Sequence, residues 1–370
     1  MPTTFTGARV FDGFAFLAEP SLTVTDGHIG GAAGQTVQLQ DGYILPGLLD
    51  LQVNGGGAQM VSGQTTPDDL ARICAVHARL GATGILPTLI TDTPAATASV
   101  LAAGIAATKA RVPGFLGLHL EGPHLDPRRK GAHDAALIRP MTDGDLNSLC
   151  DGAKHLPSLM LTVAPESVSP RQISALTDAG IIVSLGHSDC TLIDAQAAIR
   201  AGATCVTHLF NAMSQLGNRE PGLVGAALTQ PVCAGLIADG IHVAPQAITI
   251  AMAAAPGRLF LVSDSMAVAG TDAAEFTLAG RRILRRDGRL TLEDGTLAGA
   301  DLTLPQAIGQ MITQVGTPPE VAFAMATARP AACLRRTDIG HLRPGARADF
   351  VHLAPDFTLR GVWQSGVRLL

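Results

Sequence analysis

Eight short apolar runs, near residues 47–54, 82–90, 115–121, 159–165, 181–187, 204–208, 233–238 and 259–264, recur along the chain, separated mostly by helical patterns or longer loops. Eight strands alternating with helices is the count of a closed (β/α)8 barrel. Helix-start signals support the alternation independently. Thr66-Pro67 with Asp69, Ser169-Pro170, and Thr317-Pro318 with Glu320 each place a cap and a first-turn proline, and two of them add an acid at the third helical position. Two last helices are expected over about 302–315 and 318–334.

The pattern differs at the two ends and at one point between them. Residues 1–46 and 336–370 read as short strands broken by Asp-Gly, Gly-Gly and Pro-Gly turns. Neither end is long enough to bury a core alone, so one small β-sandwich domain built from both is expected beside a 47–335 catalytic barrel. Residues 275–298 show β alternation around Asp287-Gly288 and Asp294-Gly295, which predicts a β insertion after the eighth strand.

Composition narrows the function classes. With 370 residues, 47% hydrophobic, the chain can bury one large core. A net charge of −5 without a long basic run excludes a nucleic-acid footprint, leaving Arg128-Arg129-Lys130 as a solvated loop or a local anion contact. No basic-then-apolar leader and no bilayer-length apolar run occur, so a cytoplasmic location away from membranes is expected. The six cysteines (Cys74, Cys150, Cys190, Cys205, Cys233, Cys333) show no Cys-x-x-Cys pair and read as small core residues.

The candidate chemistry sits at the ends of the apolar runs. Glu121 closes GFLGLHLEG, His187 closes IIVSLGHSD, His208 closes TCVTHLFNA and Asp264 closes RLFLVSDSM. All strands of a parallel barrel open their C-termini onto one face, so these four converge. Taken singly, each histidine reads as a core residue. Together with Glu121 they make a carboxylate plus two imidazoles, a standard catalytic zinc set with a fourth position for water. In His119-Leu120-Glu121 the period of two puts His119 and Glu121 on one side, with Glu121 nearer the mouth and the better ligand. Asp264 is then placed to take a proton from a metal-activated water and return it to a leaving amine.

These segments resemble the N-acetylglucosamine-6-phosphate deacetylase family of the amidohydrolase superfamily. The match spans PGLLDLQVNGGGA (46–58), HLEGPHLDPRRKGAH (119–133), VAPES (163–167), GHSD (186–189), THLFNAM (207–213), GNREPGLVG (217–225), ADGIHV (238–243), LVSDSMAVAG (261–270) and TLAGADLTL (296–304). The resemblance implies a homodimeric hydrolase with Glu121, His187 and His208 on the metal and Asp264 as general base and acid. It implies Arg219 and His242 on the sugar phosphate, His242 from across the dimer interface, with Asn211 and Ala212 adding contacts. It further implies substrate contacts from Ala132 and His133, the latter polarising the acetyl carbonyl, and from Leu297, Ala298 and Gly299. Two-metal amidohydrolases carry His-x-His on the first strand; Gln52-Val53-Asn54 stands here, and neutral amides are weak ligands. One divalent ion per chain is therefore expected, zinc first, with Fe2+, Co2+ or Mn2+ able to use the same ligands. The rival readings are a deacetylase of another 2-acetamido sugar phosphate, such as the galactosamine epimer, and a metal-free, non-catalytic binding protein.

Overall fold

The computed structural model describes residues 2–370; Met1, the first residue of the expected 1–46 segment, lies outside the described residues. At the centre stand eight parallel strands: β1 (Leu48–Val53), β2 (Ala82–Ile90), β3 (Leu118–Glu121), β4 (Leu159–Val163), β5 (Ile182–Leu185), β6 (Cys205–Val206), β7 (Cys233–Leu236) and β8 (Leu259–Leu261). Each falls inside one of the eight apolar runs and pairs with the next in sequence. Helices cover the outside and side chains fill the inside, so the strand residues are buried on both faces except at two strand ends, Ile90 and Cys233, which are half-buried.

The seam between β8 and β1 closes differently from the others. Asp264 N donates to Gln52 O over 3.1 Å and Asn54 N to Ser265 O over 2.9 Å. Below them the buried Asp50 carboxylate accepts from Ser263 N with both oxygens at 3.2 Å, standing in for the missing ladder. The seam thus fixes Gln52, Asn54 and Asp264 beside one another at the barrel mouth.

Thr66 and Ser169 cap their helices as expected, Thr66 with Asp69 and Ser169 with Gln172 in reciprocal capping boxes. The third signal needs correction. Thr317 does not cap; the helix begins at Pro319 after Pro318, and the expected single helix over 318–334 is two, Pro319–Met325 and Ala328–Cys333. Pro330 lacks the N–H that would close the turn onto Ala326. The Ala326 carbonyl instead accepts from Leu49 N of β1 at 2.9 Å, anchoring the helix pair under the barrel.

The chain ends build two small sheets. One contains only N-terminal strands; the other joins Arg9–Val10 and Tyr43–Pro46 to Phe350–Leu353, Leu359–Gln364 and Val367–Arg368. Phe5 packs edge-on against Phe350 and Trp363, which stack at 4.6 Å, so both ends share one apolar cluster. The insertion is a four-stranded meander, Glu275–Leu278, Arg281–Arg286, Arg289–Thr291 and Leu297–Ala300. Its last strand bridges Ala300 to Ser265, which hangs the meander over the C-terminal end of the barrel. Among the described residues no helix is long and apolar enough to cross a membrane.

Candidate active site

Three site residues, His187, His208 and Asp264, lie just past strand ends with left-handed backbones (φ 47°, 30° and 49°). Non-glycine residues adopt that region at a cost, and such strain concentrates where a side chain must be aimed at a functional point. Ala212 shares it (φ 48°). These residues wall one cavity of about 370 Å³ at the barrel mouth, together with Asn54, Glu121, Ala132, His133, Asn211, His242, Leu297 and Gly299.

At the floor, Glu121 Oε1, His187 Nε2 and His208 Nε2 form a triangle with sides of 3.0, 3.0 and 3.3 Å. His187 Nδ1 lies 2.8 Å from the Arg129 carbonyl, which only accepts, so the proton sits on Nδ1 and Nε2 presents a lone pair. A lone pair therefore faces a carboxylate oxygen, an arrangement that repels unless a cation lies between. Two ligands of one tetrahedral zinc stand about 3.3 Å apart, by the ordinary Zn–N length. The donor set and its spacing fit a divalent ion. His208 Nδ1 is buried without a partner. His119, on the same side of β3, points lower, bonded to Leu51 O at 3.1 Å and Thr162 Oγ1 at 2.7 Å, and is not a ligand.

Beside the triangle, Gln52 Nε2 donates to Asp264 Oδ1 at 3.0 Å and reaches Glu121 Oε1 at 3.2 Å, while Asn54 Nδ2 donates to Asp264 Oδ1 at 2.7 Å. Carboxylates only accept, so both amides turn their NH2 groups toward the acids. Sequence reasoning weighed Gln52 and Asn54 only as poor metal ligands and missed this positioning role; their spacing of two on β1 was the available signal. Burial, with the Glu121 charge, pushes Asp264 up to about 6, close to where a proton shuttle works at neutral pH.

His133 faces Glu121 Oε2 from 3.9 Å. Its Nδ1 accepts from the Thr91 hydroxyl at 2.8 Å and from Thr91 N at 3.3 Å; a backbone N–H can only donate, so the proton sits on Nε2, directed into the cavity. Burial and the neighbouring His187 push His133 down to about 3, so it is a neutral donor there. Arg128 and Arg129 also reach the wall, but both are neutralised, Arg128 by Asp126 and Arg129 by Asp189 at 2.6 Å each.

Three expectations about the outer contacts change. His242 lines its own chain's cavity rather than reaching it from another subunit, and it has a carboxylate partner, Asp239, at 2.6 Å. Arg219 is exposed on the 214–221 loop and lies outside that wall. Beside it Glu220 accepts from Leu192 N and Gly222 N. In the strand Leu297–Ala300 alternate residues face opposite ways, so Leu297 and Gly299 meet the cavity while Ala298 packs in the apolar cluster of the insertion. Gly299 has φ 67°, and a Cβ there would lie 2.7 Å from Asp264 O, so only glycine fits.

The profile of the amidohydrolase family matches residues 43–369. An N-acetylgalactosamine-6-phosphate deacetylase of Shewanella sp. (strain ANA-3) is 37% identical over 331 residues, covering 89% of this chain and 84% of that protein. An N-acetylglucosamine-6-phosphate deacetylase of Haemophilus influenzae is 33% identical over 336 residues, 90% of this chain and 88% of that one. The crystal structure of N-acetylglucosamine-6-phosphate deacetylase from Pasteurella multocida superposes with a TM-score of 0.95 at 30% identity, covering 100% of this chain and 99% of the other.

Proposed function

Since the chain belongs to the amidohydrolase family, we propose that it hydrolyses the acetamide of N-acetylglucosamine 6-phosphate to glucosamine 6-phosphate and acetate. The observation that carries this reading is the triangle of Glu121, His187 and His208 with Asp264 held beside it by Gln52 and Asn54. A non-catalytic scaffold has no use for a buried acid held by two amides next to three convergent ligand atoms.

Glu121, His187 and His208 hold one divalent ion, zinc first and Fe2+, Co2+ or Mn2+ on the same ligands. Bound there, such an ion would supply Lewis acidity toward water and the acetyl carbonyl. A second ion is disfavoured because the NH2 groups of Gln52 and Asn54 occupy the neighbouring ground. Asp264 accepts the proton of the attacking water and delivers it to the departing amine nitrogen. His133 donates from Nε2 to the carbonyl oxygen as negative charge develops there. Leu297, Gly299, Asn211 and Ala212 line the wall around the sugar.

His242 contacts the 6-phosphate from within the chain. Arg219, exposed and outside the cavity, serves a site only if a second copy brings it there, so we assign a homodimer in which Arg219 completes its partner's phosphate site. Leu216 on that loop and Ile193, next to Leu192, whose N–H donates to Glu220, are 56% and 71% exposed and supply apolar surface for such a contact.

Acetate release from N-acetylglucosamine 6-phosphate tests the reading; turnover with the phosphorylated sugar and none with the free sugar is expected. The galactosamine epimer is the second reading, favoured by the Shewanella relative's activity. A higher kcat/KM for that epimer would replace the first reading with the second.

A further inference from the structure

Cys205, Cys233 and Cys333 are scattered in sequence and converge in the fold. Cys205 begins β6, Cys233 begins β7 in register beside it, and Cys333 ends the helix Ala328–Cys333 beneath the barrel. Cys333 Sγ lies 3.7 Å from Cys205 Sγ, and all three sulfurs fall within 4.8 Å of one another. All three are free thiols.

We propose that these three cysteines form a sulfur-only site for a soft, thiophilic cation of the Cu(I) type, at the opposite end of the barrel from the catalytic pocket. Three sulfurs bonded to one ion at about 2.3 Å in a plane stand about 4 Å apart, which matches their spacing. Among the described residues no fourth cysteine, histidine or acid joins the group, which suits an ion content with three soft ligands better than one demanding a tetrahedron. Cys205 and Cys333 are buried while Cys233 is half-buried, so an ion enters from the Cys233 side. Each thiol that ligates releases its proton to solvent, and no electron is exchanged.

Cys205 and His208 are three residues apart, at most about 10 Å along the chain, and lie at opposite ends of β6, so occupation of this site is separable from the catalytic one. The test uses the zinc-loaded protein titrated anaerobically with Cu(I) against a chromophoric Cu(I) chelator, followed by X-ray absorption at the copper edge. One equivalent taken from the chelator, sulfur as the only near scatterer and zinc retained are expected. Cys233→Ser, at a half-buried position that tolerates a polar atom, should weaken uptake at least about tenfold, and Cys150→Ser should not. The proposal is overturned by no uptake against the chelator, by nitrogen or oxygen ligands at the copper, by unchanged affinity in Cys233→Ser, or by uptake that disappears in Glu121→Gln.

Discussion

Asn54 and Asp264, 210 residues apart, are joined by a 2.7 Å hydrogen bond from Nδ2 to Oδ1 across the closing seam of the barrel. That bond favours the carboxylate form of an acid that burial pushes up. Asn54→Ala should therefore raise the Asp264 pKa and move the acid limb of the kcat/KM profile to higher pH, with kcat down about 10–100-fold and metal content unchanged. A profile superimposable on that of the unsubstituted enzyme would remove Asn54 from the positioning role.

Asp264→Asn keeps the shape of the side chain but can neither take the water's proton nor return it to nitrogen. Turnover should fall by about 10²–10⁴-fold, while the metal and the substrate still bind. A kcat within about tenfold of the unsubstituted enzyme, well short of what general acid–base catalysis contributes, would rule out Asp264 as the shuttle.

Subunit mixing tests the assignment of Arg219. Asp264→Asn and Arg219→Ala chains are each expected to be nearly inactive. In a mixed dimer the Arg219→Ala chain keeps its own Asp264 and borrows Arg219 from its partner, so one of the two sites is whole and part of the activity should return. If subunit exchange is demonstrated and none returns, Arg219 does not act in trans.

Asp50 gives a stability prediction remote from the pocket. Burial raises its carboxyl from 3.8 to about 7 in the folded chain. Between these values the unfolded chain is ionised and the folded chain holds its proton, so stability falls as pH rises through this window and levels off above it. The slope approaches 1.4 kcal/mol per pH unit, as an order-of-magnitude figure. Asp50→Asn can still accept from Gln52 N and Ser263 N through one oxygen, as Oδ1 does now at 3.2 Å from each. Urea midpoints at pH 5 and pH 7.5 should drop further in the unsubstituted protein than in Asp50→Asn. Parallel curves would mean that Asp50 is not the titrating group.

Much of this was legible in sequence because the signals are local. Apolar runs placed all eight strands, and their ends placed Glu121, His187, His208 and Asp264. What escaped depends on distant partners. Pro330 is an ordinary residue until Leu49 claims the carbonyl that it leaves free. Gln52 and Asn54 gain their role only from the seam that brings Asp264 alongside. Nothing near Arg219 or His242 in sequence tells which faces its own cavity, since that turns on the path of a loop. The left-handed backbones at His187, His208 and Asp264 were equally invisible, being imposed by the site rather than by residue preference.

The central claim is a single-ion deacetylation site, and titration of the metal-stripped protein with Zn2+ while following acetate release from N-acetylglucosamine 6-phosphate tests it most directly. Activity should rise in proportion to added metal and level off at one equivalent per chain, with Glu121→Gln gaining none. A continued rise to a second equivalent, or no acetate at any metal loading, would contradict it.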